Sequence, residues 1–205
     1  MQRLQQPPPR RRLPPAERRR DILDSARTLF ATRPYAEVST ADIAEAAGVA
    51  RSLVHHYFGG IRGVFLAVVG EGAAALTDAR TAGPETPLDE RLAHNVRAGL
   101  DVIWANRETW LAVMARGAEG ANPEVRDIVE MATTRSVERA LAVAGDLIEN
   151  TSAARIALRC FHAFSTEATQ AWLDGQAPRE QVEALLVATL RDLLVRTIPA
   201  LEDAA

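Results

Sequence analysis

The 205-residue sequence predicts an all-α protein with a small N-terminal helix-turn-helix unit followed by a larger helical domain. Three observations carry that reading. Apolar residues recur at three- and four-residue steps in almost every segment, the period that puts them on one face of a helix. No segment shows the strict alternation of a half-buried strand, and no internal repeat is found. Glycine, proline and asparagine pairs punctuate the chain at intervals suited to helix ends. A chain of this length holds one large or two small domains, and 47% hydrophobic residues suffice for a substantial core.

In chain order, residues 1 to 15, MQRLQQPPPRRRLPP, have little to bury and read as a disordered basic, proline-rich arm. Arg10, Arg11 and Arg12, joined by Arg18, Arg19 and Arg20, are read either as part of an untidy terminus or as an arm that runs along DNA or into a minor groove. A first helix buries Ile22, Leu23, Ala26, Leu29 and Phe30 and ends before Pro34. Ser39 is a natural N-cap, with Asp42 three residues on as a short acidic capping-box partner, so a second helix begins at Thr40 and buries Ile43, Ala44 and Ala47. Gly48 sits where the chain turns sharply and takes positive φ without steric penalty, and Val49 plugs the angle. A third helix starts at Arg51. Val54 and Phe58 face inward, leaving Arg51, Ser52, His55 and His56 outward, a lining that suits a DNA groove.

Beyond this unit, a long fourth helix runs from Ile61 or Arg62 to about Ala82, stopped by Gly83-Pro84. Leu88, Leu92, Val96, Leu100, Ile103 and Trp104 mark the next helix, and Trp110, Val113 and Met114 a shorter one. Asn122-Pro123 opens a helix carrying Val125, Ile128, Val129, Ala132, Val137 and Leu141. The last two segments span Ile156 to Trp172 and Val182 to Ile198, separated by Asp174-Gly175 and Pro178. The domains are therefore read as 1–15, arm; 16–66, DNA-binding domain; and 67–205, helical domain.

Charge divides along the same line. Residues 1 to 66 hold eleven arginines against six carboxylates, about +5, while the remainder is about −8, giving the overall −3. Such polarity suits docking of one end on phosphate, with affinity that falls as salt rises. All 24 basic residues are arginine. Enzyme readings find no support in the motifs: the histidines at 55, 56, 94 and 162 fit neither HExxH nor a cysteine-histidine metal spacing, and no metal or cofactor is implied. Cys160, the only cysteine, reads as a small core residue and excludes an intrachain disulfide. No apolar run reaches the ~18 residues of a membrane span and no signal segment is present, so a cytoplasmic location without membrane association is expected.

The stretch VSTADIAEAAGVARSLVHHYFGGIRGVFL, with ILDSARTLF before it, resembles the DNA-binding domain of the tetracycline-repressor (TetR) family over roughly the first third of the chain. The resemblance implies a phosphate contact for Thr40, the leading recognition-helix positions for Arg51 and Ser52, and contacts to phosphates and base edges for His55, His56 and Tyr57. Three positions depart from the pattern. Ala50 replaces the serine that usually caps the recognition helix, Ser52 the glycine often found there, and Ile61 a phosphate-holding lysine. Arg62 stands one residue on, about 100° around the helix.

The resemblance further implies that residues 67–205 bind a small organic effector and form a homodimer through the last two helices, packed as a four-helix bundle. Leu185, Leu186, Leu190, Leu193 and Leu194 make an apolar face wider than one neighbour would cover. Two recognition helices related by symmetry read an inverted-repeat operator in double-stranded DNA, and effector binding releases the repressor. Trp104, Trp110, Met114, Met131, Phe161, Phe164 and Trp172 hold much of the large, soft apolar content and are the candidates for a ligand pocket, with His162, Thr166, Glu167 and Gln170 as orienting polar groups. The aromatic residues are also read as ordinary core, and the four polar groups as a partly solvated or dimer-facing helix surface. The alternative function is a DNA-binding adaptor answering to a protein partner or to no effector, with a solidly packed bundle.

Overall fold

The computed structural model describes residues 14–111 and 123–203, and within them every regular element is a helix. Residues Arg10 to Arg12 of the arm, together with Val113 and Met114, lie outside the described residues, as does the side chain of Val125. The first helix, α1, is Pro15–Thr32, with proline at its first position, where a missing N–H leaves no bond unmade. After a single turn at Tyr35–Glu37 come α2, Thr40–Ala46, α3, Arg51–Phe58, and α4, Ile61–Asp78. Then follow α5, Leu88–Ala105, a helical stretch at 107–111, α6, Pro123–Ala144, α7, Ser152–Leu173, α8, Arg179–Asp192, and α9, Ile198–Glu202.

The capping box at α2 is complete: the Ser39 hydroxyl accepts from the Asp42 N–H at 3.2 Å, and the Asp42 carboxylate accepts from the Ser39 N–H at 2.8 Å. Those bonds, chiefly from the Ser39 hydroxyl and backbone, and then the Arg33 charge, hold the Asp42 carboxyl below its ordinary pKa. Gly48 has φ 63°, the left-handed conformation the turn requires. Ile22, Leu23, Ile43, Val54, Val64 and Phe65 close the core beneath these helices. Leu29 and Ala47 pack at its margin rather than inside it.

This core does not stop at residue 66. Val68 and Val69 of α4 belong to it, and Ile128 and Val129 of α6 pack against it. The rest of the molecule is built by α4 lying on α6, α5 on α8, and α7 between α6 and α8.

Two helix ends differ from expectation. α4 ends at Asp78, not near Ala82, because tertiary bonds claim the backbone beyond it. The Asn95 amide accepts from the Ala82 N–H at 3.1 Å and donates to the Ala82 carbonyl at 2.8 Å, and the Arg80 carbonyl accepts from Arg139 Nε at 2.7 Å. The final helix is interrupted by a wide π turn at Leu193–Thr197. Pro199, at the start of α9, lacks the N–H a continuous helix would use, and the wide turn removes the conflict while keeping Leu194 and Ile198 buried.

Candidate nucleic-acid interface and bundle cavity

Arg51, Ser52, His55 and His56 form the exposed face of α3, while Val54 is fully buried behind them. Thr40, the first residue of α2, is buried at the angle between α2 and α3. Its hydroxyl accepts from Arg51 Nε at 2.9 Å and lies 3.4 Å from His55 Nε2. The two helices are thus joined through polar groups at the outward face of α3 as well as by apolar packing, and the Arg51 terminal nitrogens are aimed from a fixed point. Tyr57 is half-buried, its ring 5.2 Å from that of His56. Arg62 is exposed on the first turn of α4. Ala50 provides no side-chain cap to α3.

A glycine that sequence reading passed over fixes the back of this surface. α3 ends at Gly59, φ 74°, and Gly60, φ 137°, and α4 leaves at 60° to α3. That return brings the Phe58 carbonyl against Gly63, where a Cβ would overlap the Phe58 oxygen and stand 3.0 Å from its carbon. Arg19 of α1 lies over the Phe58 ring at 5.0 Å, and Arg27 reaches Glu71 of α4 at 3.0 Å. Arg19 and Arg27 therefore tie α1 to α3 and α4.

The second feature is a partly open cavity of about 210 Å³ lined by α4 to α8 and by Arg27 of α1. Val68, Val69 and Leu76 of α4, Leu100 and Ile103 of α5, and Phe161 of α7 give it apolar walls. Its polar lining includes Arg80, Ser136, Arg139, His162 and Thr166. Arg80 Nη1 donates to the Ser136 hydroxyl at 2.9 Å, while Arg139 donates through Nε and Nη2 to the Arg80 carbonyl. Burial, and then the Arg139 charge, push the Arg80 pKa below its ordinary value. His162 is also pushed down, first by burial and then by the charges of Arg80 and Arg159, so its ring is neutral at pH 7.

The family model for bacterial regulatory proteins of the tetR family matches residues 22–68, the span that contains α2, α3 and their supports. A tetR-family transcriptional regulator from Streptomyces coelicolor shares 27% identity and superposes with a TM-score of 0.77, covering 90% of this chain and 89% of that one. Residues 22–68 are thus similar to the DNA-binding domain of the tetR family of bacterial regulatory proteins, and the whole chain shares the fold of a tetR-family regulator. It is a DNA-binding transcriptional regulator with the all-helical architecture of that family. GusR of Salmonella enterica shares the fold at 21% identity and a TM-score of 0.71, over 89% of this chain and 97% of that one. So does a TetR-like transcriptional regulator from Rhodococcus sp. RHA1, at 20% identity and 0.66, over 90% and 100%. Comparison with curated proteins finds no match.

Against this tetR-family architecture, the expected pocket residues separate. Trp110, Phe161, His162 and Thr166 line the cavity. Trp104, Met131, Phe164, Trp172, Glu167 and Gln170 do not, and Met114 lies outside the described residues. Trp104, 48% exposed, follows Ile103 by one position and so points about 100° away from the cavity face. It stacks on Trp172 at 5.4 Å, with the Arg107 guanidinium 4.8 Å from the Trp104 ring and that of Arg179 5.6 Å from the Trp172 ring. Gln170 donates to Asp174 at 2.9 Å instead of turning inward. Cys160 is exposed rather than a core residue, on an outward stripe of α7 with Ile156 and Phe164 at four-residue steps. Sequence reading missed Arg80, Ser136 and Arg139, which carry no local motif and meet only because α4 and α6 lie side by side. Among the described residues no group of histidine, cysteine and carboxylate side chains is arranged to hold a metal, and no single helix is long and apolar enough to cross a membrane.

Proposed function

We propose that this regulator is a repressor whose hold on an inverted-repeat operator is released by a small, largely apolar ligand in the α4 to α8 cavity. The observation that carries this is the double role of α4. Its first half, Val64 to Val69, is core to the reading domain, and its stretch from Val68 to Leu76 is cavity wall. A ligand that repacks this wall moves the helix on which α3 rests. The bulk of the cavity wall is apolar, whereas a solidly packed bundle, as in an effector-free adaptor, would leave no such space.

Dimerisation through α7 and α8 is supported by apolar surface that one chain leaves uncovered. Of the five leucines expected to make the apolar face of the final helix, only Leu185, 47% exposed, is uncovered, because Leu186 and Leu194 are buried and Leu190 and Leu193 pack on the chain's own core. Ile156, 63% exposed, and Phe164, 38%, supply the rest of the uncovered apolar surface on these two helices. Two-fold symmetry then presents two α3 helices on one face of DNA, about one helical turn or more apart. Thr40, Arg51, Ser52, His55, His56, Tyr57 and Arg62 are the proposed contact set, Thr40 acting through its hold on Arg51 and His55.

Selection of duplex DNA from a random pool by the purified protein at moderate salt tests this reading. Retention of an inverted repeat is the expected result. Recovery of DNA with no common sequence, or with a single unrepeated half-site, refutes the dimeric reader.

A further inference from the structure

We propose that the effector cavity selects an apolar monocarboxylic acid, whose carboxylate is received by the unpartnered Nε and Nη2 edge of Arg80, with the Arg139 charge beside it. This inference deepens the ligand-released reading and rests on it.

The cavity has a cationic side with no carboxylate to balance it among the described residues. Four titratable side chains line it: Arg27, Arg80, Arg139 and His162. Arg27 is matched by Asp24 at 2.8 Å and Glu71 at 3.0 Å. Arg159, which faces His162 from its own helix, is matched by Glu130 at 2.9 Å. Arg80 and Arg139 have no carboxylate within ion-pair distance among the described residues, and no Asp or Glu is among the described lining residues. Arg80 and Arg139 are linked to each other, since Arg139 donates to the Arg80 carbonyl, so the two like charges are held together. Arginine stays protonated even when its pKa is lowered, so the cavity keeps both charges. Uncompensated charge in a low-dielectric site is unfavourable, and a matching anion relieves it.

The geometry of the bonds already made decides which group is left for a ligand. Arg139 spends its Nε and Nη2 on the Arg80 carbonyl, capping the chain just past the end of α4, a structural role. Arg80 spends only Nη1, on Ser136. Its Nε and Nη2 find no acceptor among the described residues, and these two form the parallel-donor edge that matches a carboxylate bidentately. Gly99 of α5 keeps space beside them: a Cβ there would stand 3.4 Å from Nε and 3.5 Å from Nη2. The remaining wall is mainly apolar, with Val, Leu, Ile, Ala, Phe and Trp side chains, and its other polar groups, among them Asn95, Asn106 and Thr169, are neutral, which suits a hydrocarbon or aryl tail and not a second charge. A neutral His162 nearby offers one further hydrogen bond without competing for the anion.

The test is calorimetric titration of the full chain with octanoic, decanoic and 4-phenylbutyric acids, each beside its primary amide, against wild-type protein, Arg80→Gln and Arg80→Lys. A charge-assisted bidentate contact predicts that at least one acid binds wild type about 10- to 100-fold more tightly than its amide. Arg80→Gln should remove that preference while leaving amide binding within a few-fold, and Arg80→Lys should recover only part of it. Equal binding of acids and amides to wild type overturns the carboxylate assignment and leaves an apolar effector cavity standing. Failure of all six to bind overturns the cavity reading as well. The wild-type comparison decides even if a variant does not fold.

Discussion

The same substitution made at two glycines of α4 should act in opposite directions. At Gly63, an added methyl overlaps the Phe58 carbonyl oxygen, and the offending atom is backbone rather than a mobile side chain. Relief requires the end of α3 or the start of α4 to shift by about an ångström against buried Val54, Val64 and Phe65, and overpacking of this kind costs about 1–3 kcal/mol. Replacing a helical glycine returns at most ~1 kcal/mol of that. Gly63→Ala should therefore lose about 1–2 kcal/mol and lower Tm by ~2–8 °C for a chain of this size. Gly72, nine residues along, lines the cavity, and a Cβ there meets nothing within 4 Å. Gly72→Ala should gain ~0.4–1 kcal/mol and raise Tm by ~1–4 °C. Thermal and denaturant unfolding followed by circular dichroism measure both. Operator binding adds a second readout, because Gly63→Ala disturbs the seat of the recognition helix and should weaken binding even where the protein is fully folded. Shifts of the same sign at the two positions, or a Gly63→Ala protein as stable as wild type, would refute the close α3 to α4 return.

Three further outcomes are expected. Arg51→Ala should weaken operator binding by ~1–3 kcal/mol and relax preference at one base pair per half-site, measured by anisotropy on a set of single-substituted operators; equal loss on every sequence would move the reading role elsewhere. Removing residues 1 to 13, which hold four arginines, should lower affinity for all sequences alike and flatten the salt dependence by up to ~0.9 in the log-log slope for each phosphate the arm neutralises. The folded-state pKa of His162 lies below its ordinary 6.5, so the stability contributed by the neutral ring is fully present above that value and is lost as pH falls through the folded-state pKa. Tm of wild type should accordingly fall faster than that of His162→Gln as the pH is lowered from 6.5; parallel curves would show that the ring is freely solvated.

The reading domain was legible because its signals are local. Ser39, Asp42 and Gly48 lie within ten residues and specify cap, helix start and turn by their own backbone chemistry, and Val54 faces inward by simple helical period. The apolar stripes of α5 to α8 likewise give element positions to within a few residues. What escaped was whatever depends on how helices meet. Gly63 leaves room for the Phe58 carbonyl because Gly59-Gly60 turns α4 back toward Phe58, and only that pair of glycines hinted at it. Trp104 and Trp172 are aromatic and helical, like Trp110 and Phe161, yet they stack outside the cavity the latter two line, since neighbouring helices decide which side of a stripe is interior. The ends of α4 and α8 moved for the same reason: Asn95 and Arg139 take hold of the chain beyond Asp78, and Pro199 forces a wide turn.

Coupling between the cavity and the reading face through α4 is the central claim, and operator affinity with and without a saturating cavity ligand tests it most directly. A ligand that prefers the DNA-free arrangement by about 100-fold supplies ~2.7 kcal/mol per site, and the operator Kd should rise correspondingly while the same ligand binds the operator complex more weakly than the free protein. An operator Kd unchanged by a ligand shown to occupy the cavity would contradict the account.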